Sequence, residues 1–235
     1  MNRKDNPAGR LLLILQKSQK IDPAKKMREA WAEIFEVDSD NTSEILRNLG
    51  LLHQLPSEIR NQVYSIDGED HDLYLDKISR VENALSNINL KARWKNFKET
   101  IDEATLTELK FCSKLLSKKS EFRTIDKKDR EDLLKRIQDL KNEMSDFNIN
   151  EDLRRAIFDK LSEIERAIFD YRLTGGVLIK KEVESALANV VVRALNQDES
   201  LTRKLLDLFA YIAATITVGE HSYQLAQKIT QLLNP

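Results

Sequence analysis

Hydrophobic positions along the chain recur mostly at intervals of three and four, the spacing that gathers side chains on one face of an α-helix. Met27, Ala30, Trp31, Ile34 and Phe35 follow the i, i+3, i+4, i+7, i+8 pattern. Asp22 before Pro23 reads as the N-cap and first helical position of that segment. After the break "DSDN", the segment from Thr42 carries Ile45, Leu46, Leu49 and Leu52 on an inward face, with His53 as a further candidate for that face. Pro56 starts a further turn of helix, and "SIDGED" closes the region.

Leu73, Leu75, Ile78, Val81, Leu85 and Ile88 continue the period as far as "NINL", and Trp94, Phe97 and Ile101 resume it. Thr105 with Glu108 fits a capping box ahead of Leu106, Leu109, Cys112, Leu115 and Leu116. Asp126 predicts the cap of a helix whose Leu133, Ile137, Leu140, Met144 and Phe147 alternate by four and three. That seam of about 3.5 residues per repeat suits helix-on-helix packing. Asn150 predicts the cap of the next helix, with Ile157, Phe158, Leu161, Ile164, Ile168 and Phe169 as its buried face. The string "RAIFD" occurs in it twice, at 155–159 and 166–170. Eleven residues are close to three helical turns, so both copies face nearly the same way.

The helix breakers fix the fold class. No glycine or proline occurs from 69 to 174. Sheets need turn residues between strands, and this stretch supplies none. The expected fold is all-α, a multi-helix bundle of long antiparallel helices, about eight to ten in number by this periodicity.

"RLTGGVLIKK", residues 172–181, raises a separate question. A phosphate-binding loop needs glycines at fixed spacing and a Lys-Ser/Thr pair, and a dinucleotide loop needs a preceding strand. Here the glycines are adjacent and the preceding segment is helical, so Gly175 and Gly176 read as a break between helices. An anion on the new helix N-terminus, assisted by Arg172 or Lys180, is the functional alternative.

Beyond the break, Val183, Ala186, Leu187, Val190, Val191, Ala194 and Leu195 form a wide apolar stripe. "LTRKLLDLFAYIAATITV" and the last expected helix, "HSYQLAQKITQLL", complete an apolar C-terminal hairpin. Helices apolar over so much of their circumference are buried on more than one side. They form either the centre of the fold or a subunit interface, which motivates a homo-oligomer through residues 174–235. The chain thus divides into regions 1–70, 71–173 and 174–235, which can form one continuous domain.

Composition narrows the function. Of 235 residues, 41% are hydrophobic and 33% charged, enough apolar surface to exclude a fully disordered chain. The net charge of -1 gives no bulk attraction to nucleic acid or to acidic membranes. Charge is nevertheless uneven. Residues 31–90 carry 4 Lys+Arg against 12 Asp+Glu, and residues 91–136 carry 14 against 9. Arg93, Lys95, Lys98, Lys110 and Lys114 in the basic block would serve an acidic partner or a phosphate backbone; solvated helix faces are the plainer explanation.

"LLLIL" near the start is shorter than a signal-peptide core of about 7–15 residues. The apolar run 209–218 is shorter than the roughly 20 residues of a membrane span. A cytoplasmic protein without membrane contact is expected. A single cysteine, Cys112, cannot form an internal disulfide or a zinc cage and reads as a small buried hydrophobe. His53, His71 and His221 lack metal-ligand spacing and read as surface polar positions, so no metal or cofactor is expected.

One short motif carries chemistry. "RNLGLLH", with Arg47, Asn48 and a histidine six residues after the arginine, resembles the Arg-polar-(several)-His motif of HEPN-type ribonucleases. The resemblance implies a helical, metal-independent enzyme in which Arg47 and His53 act on the scissile phosphate of RNA. Arginine stabilises developing phosphate charge and histidine moves protons, so the chemistry is sound. On an unbroken helix, however, a six-residue spacing puts the two on different sides. "AWAEIFEV", "ARWKNFKETID" and "YRLTGG" together resemble uncharacterised bacterial all-helical proteins, a likeness that implies a bacterial cytoplasmic setting and carries no activity. The preferred expectation is a non-catalytic helical module, interacting or regulatory, that binds a protein partner of unknown identity.

Overall fold

A computed structural model describes residues 4–218, and among them every regular element is helical. Contacts of β type are confined there to three isolated bridges. The expected terminal helix "HSYQLAQKITQLL" and His221 lie outside the described residues. The described residues form two compact units: residues 6–120, and residues 121–218 together with Lys4 and Asp5.

In the 6–120 unit, α1 (Pro7–Ser18) has proline in its first turn and Asn6 as N-cap, whose side-chain oxygen accepts from Gly9 N at 2.9 Å. The Asn6 amide also donates to Ser117 Oγ (2.9 Å) on α7 (Glu103–Ser117), so one residue caps α1 and ties it to α7. Helix α2 (Met27–Phe35) starts later than Asp22–Pro23 suggested. The backbone before it is diverted into pairing with residues 92–94: Met27 N donates to Ala92 O at 2.9 Å and Trp94 N to Lys25 O at 2.8 Å. Asp22 instead closes a local turn on Ala24 N. Helix α3 (Thr42–Tyr64) runs unbroken through Pro56.

Short helices α4 (His71–Leu75), α5 (Ile78–Ser86) and α6 (Trp94–Thr100) complete this unit. Trp31 packs edge-on to Trp94 and Phe97 at 5.1 and 5.0 Å between ring centroids and stacks on Phe35 at 5.3 Å. Such pairs add about 0.5–1.5 kcal/mol each beyond the burial of their area. Helix α7 begins at Asp102, which accepts from Thr105 N at 2.9 Å; Thr105 is buried and Glu108 accepts from Lys77 N, so the expected Thr105–Glu108 box does not form.

In the other unit, α8 (Lys127–Asn142) and a following 3-10 turn (Glu143–Asp146) supply the buried seam Leu133, Ile137, Leu140, Met144 and Phe147. Asp126 and Asn150 cap α8 and α9 as expected, accepting from Asp129 N and Leu153 N, both at 2.8 Å. Helix α9 (Glu151–Ala186) kinks at Gly175, then continues through a π-helical turn (Leu187–Val191) into α10 (Val192–Leu195). Asp198 caps α11 (Glu199–Ile216). Val183, Ala186, Leu187, Val190, Val191 and Ala194 are buried in this unit's own core with α8, α9 and α11. Most of the apolar residues between 179 and 216 are therefore covered within this unit. Val192 and Leu195 remain exposed.

The periodicity locates the buried stripes but misplaces their edges. Leu46 and His53 in α3 and Leu73 in α4 are exposed, because the inward stripe of α3 is Ile45, Leu49, Leu52, Leu55, Ile59 and Val63. Phe158 and Phe169 are likewise not buried: they are 48% and 59% exposed. Ile157, Leu161, Ile164 and Ile168 form a narrow, fully buried stripe, and each phenylalanine stands one residue, about 100°, beyond it.

Candidate functional site

Arg47 and His53 both belong to α3. Six residues on one helix separate them by about 9 Å along the axis and about 120° around it. The Arg47 guanidinium donates to Glu44 Oε1 at 3.2 Å, one helical turn back, whereas the His53 side chain is exposed. Within one chain the helix does not bring the two to a common centre. His71 is held by Ile66 O at 2.8 Å and packs edge-on against Tyr64. Among the described residues, no three His, Cys, Asp or Glu side chains gather closely enough to hold a metal ion.

Cys112 lies on the buried face of α7, fully covered. Burial, followed by the neighbouring charge of Glu108, pushes its thiol up to about 12. A nucleophilic cysteine needs the opposite shift.

The basic block is partly structural. Arg93 donates to Ala24 O at 2.6 Å and Lys98 to Ile21 O at 3.1 Å, satisfying carbonyls of the segment between α1 and α2. Lys95 pairs with Glu99 at 3.5 Å. Lys110 and Lys114 are exposed on α7, on either side of the exposed Phe111. Lys91, Lys118, Lys119 and Lys128 of the same block are exposed as well.

The Gly175–Gly176 junction is a built feature. Gly175 takes φ 69° and ψ -166°, a conformation open only to glycine. At Gly176 a Cβ would lie 2.5 Å from the Phe122 ring, so the ring's position also requires glycine. The N–H of Gly176 donates to the carboxylate of Asp5 at 3.2 Å, in a buried setting. Asp5 in turn is placed by its own N–H, which donates to Phe122 O at 3.0 Å. The anion at this helix N-terminus is thus supplied by the chain itself. Lys180 pairs with both oxygens of Glu121, at 3.0 and 3.2 Å.

The kink turns the two arms of α9 back on one another. Lys160, Glu163 and Arg166 of the first arm and Leu178, Lys181 and Glu182 of the second line one open groove of about 520 Å³. Its charges are largely matched within the first arm: Lys160 donates to Glu163 at 2.6 Å and Arg166 lies 3.5 Å from Asp170.

The second copy of "RAIFD" borders this groove through Arg166 and Ala167, whereas neither Phe158 nor Phe169 lines it. Phe158 and Phe169 point to solvent three turns apart, about 16 Å. Lys141 of α8, itself only 5% exposed, lies 4.8 Å from the Phe158 ring centroid. It donates to Ser162 Oγ at 2.9 Å and Glu165 Oε2 at 2.7 Å. The polar groups between the two rings are thereby satisfied, leaving the rings as the unfilled contacts of this face. Arg155 and Asp159 are exposed beside them, without ion-pair partners among the described residues.

Neither Asp5 nor this exposed face was identified from the sequence. Nothing local to Asp5 signals a partner 171 positions away. The face was detectable, because Ile157, Leu161, Ile164 and Ile168 alone satisfy the four-three period and leave Phe158 and Phe169 off it. No helix among the described residues is long and apolar enough to cross a membrane. No protein-family model matches the chain, and no curated protein or solved structure matches it significantly.

Proposed function

We propose that the chain is a non-catalytic helical module that docks a protein partner on the outer face of α9. The observation that carries this reading is the exposure of Phe158 and Phe169, two large aromatic rings at equivalent positions of one rigid helix. Covering an aromatic side chain gains roughly 1.5–3 kcal/mol, and aromatic and arginine side chains dominate the centres of protein interfaces. Arg155 and Arg166 flank the rings, and Lys141 packs against the Phe158 ring. Regulation by occupancy of this face is the role such a module serves.

The test is affinity capture from the native cell with the intact chain and with a Phe158→Asp, Phe169→Asp variant. A partner retained stoichiometrically by the first and lost from the second is expected. Identical recoveries, or none above control for either, would remove the reading. Thermal melts of both proteins establish that the variant is folded.

A further inference from the structure

Resting on that docking reading, the internal repeat identifies what fits the face. We infer that the outer face of α9 pairs with the same face of a second copy of the chain, about a two-fold axis at the level between Glu163 and Ile164. The two copies of "RAIFD" set Phe158 and Phe169 at equal distances on either side of the stretch Ser162–Glu165. When two such helices lie antiparallel, Phe158 meets the partner's Phe169, and the reverse contact forms by symmetry.

Charge follows the same register. Asp159 and Arg166 lie on one flank of the strip, about 80–100° around the helix from Phe158. In an antiparallel pairing that flank meets itself. Asp159 then comes within about 3 Å, along the axis, of the level of the partner's Arg166, a distance the long arginine side chain spans. Both side chains are exposed, and Asp159 has no ion-pair partner among the described residues. Arg166 uses Asp170 at 3.5 Å yet keeps 48% of its side chain open, with five N–H donors to share.

The centre of the pairing is suited to close approach. Ser162 is small, and its hydroxyl is satisfied within the chain: it donates to Phe158 O at 2.8 Å and accepts from Lys141 at 2.9 Å. Covering it leaves no orphaned polar atom. The same face disfavours nucleic acid, since Asp159 and Glu163 accompany the cations and repel phosphate. A zwitterionic strip repeated after three turns is complementary to its own reversal.

Sedimentation equilibrium over a dilution series tests the pairing. The intact chain should move from 27.2 kDa towards twice that mass as concentration rises. Asp159→Arg or Arg166→Asp alone should raise the dissociation constant roughly tenfold or more, because each creates like-charge contacts twice. The double exchange should return it to within about threefold of the original, by restoring both pairs. Arg166 also touches Asp170, so Phe169→Ser, at an exposed ring, provides an independent loss of dimer in a variant whose fold is undisturbed. A monomer at all concentrations, or a dimer indifferent to these changes, overturns the pairing. A monomer that still captures a cellular partner overturns only the pairing; failed capture alone overturns the docking of a separate protein.

Discussion

The carboxylate of Asp5 accepts a hydrogen bond from the backbone N–H of Gly176, 3.2 Å away in a buried setting, although 171 positions separate them. The second arm of α9 starts at this point, and its first N–H groups have no partner within the helix. A phosphate could occupy such an end; here the chain's own N-terminal segment does. The contact explains why the paired glycines are structural rather than ligand-binding: one makes the turn, the other admits both the Phe122 ring and the carboxylate.

Asp5→Ala should therefore lower stability by about 1–3 kcal/mol, the usual loss when a buried donor forfeits a charged acceptor. Gly176→Ala should cost a comparable amount, about 1–3 kcal/mol, through collision with Phe122. Urea unfolding of the two variants reads both effects. Losses under a few tenths of a kcal/mol would mean that the N-terminal segment is not packed on this helix end.

Cys112 should resist labelling by an aromatic disulfide reagent at pH 8 in the native protein and react at once after unfolding. Its thiol is raised from 9.0 to about 12 by burial, then by Glu108. The native state therefore holds this proton more tightly than the unfolded state. The sign follows: stability is fully present below pH 9 and declines as pH rises towards 12. Denaturant titrations at pH 8 and pH 10.5, compared with those of Cys112→Ala, isolate the contribution. A slope unaffected by the substitution would contradict it.

Ribonuclease chemistry through Arg47 and His53 is separable from docking. The intact chain and an Arg47→Ala, His53→Ala variant should leave total RNA equally uncut. Cleavage by the intact chain that the double variant lacks would reverse that expectation and place the chemistry on α3.

Acid should weaken the α11 cap. The carboxylate of Asp198 is held below its ordinary range, first by the Leu201 N–H at 2.9 Å and also by the Asn148 N–H at 3.1 Å. A lowered native value means stability that is present above the unfolded value of 3.8 and lost as pH falls through the lower native one. Asp198→Asn should melt at a lower temperature than the intact chain at pH 7, and the gap should close below pH 4. A gap of constant size from pH 7 to pH 2 would show that the charge at this cap contributes nothing.

How much of this was legible in the sequence depends on the range of the interaction. Caps at Asp126 and Asn150 and the seam from Leu133 to Phe147 were readable, because a helix is built from contacts three and four residues apart. The start of α2 was not: Lys25 and Met27 bond to residues 92–94, and no local pattern announces that pairing. Asp102 took the cap expected of Thr105 because Thr105 is buried, a fact of packing rather than of spacing. Hydrophobicity alone directs Phe158 and Phe169 inward. Their positions on the helical wheel, one step past the isoleucines, carried the contrary information.

Hydroxyl-radical footprinting across a protein dilution series addresses the outer face of α9 without any substitution. Oxidation of Phe158 and Phe169 should slow as concentration rises, while Phe111, exposed on α7, keeps a constant rate and serves as internal control. Phenylalanines 158 and 169 that oxidise at the same rate from the most dilute to the most concentrated sample, in parallel with Phe111, would contradict a self-pairing face on this helix.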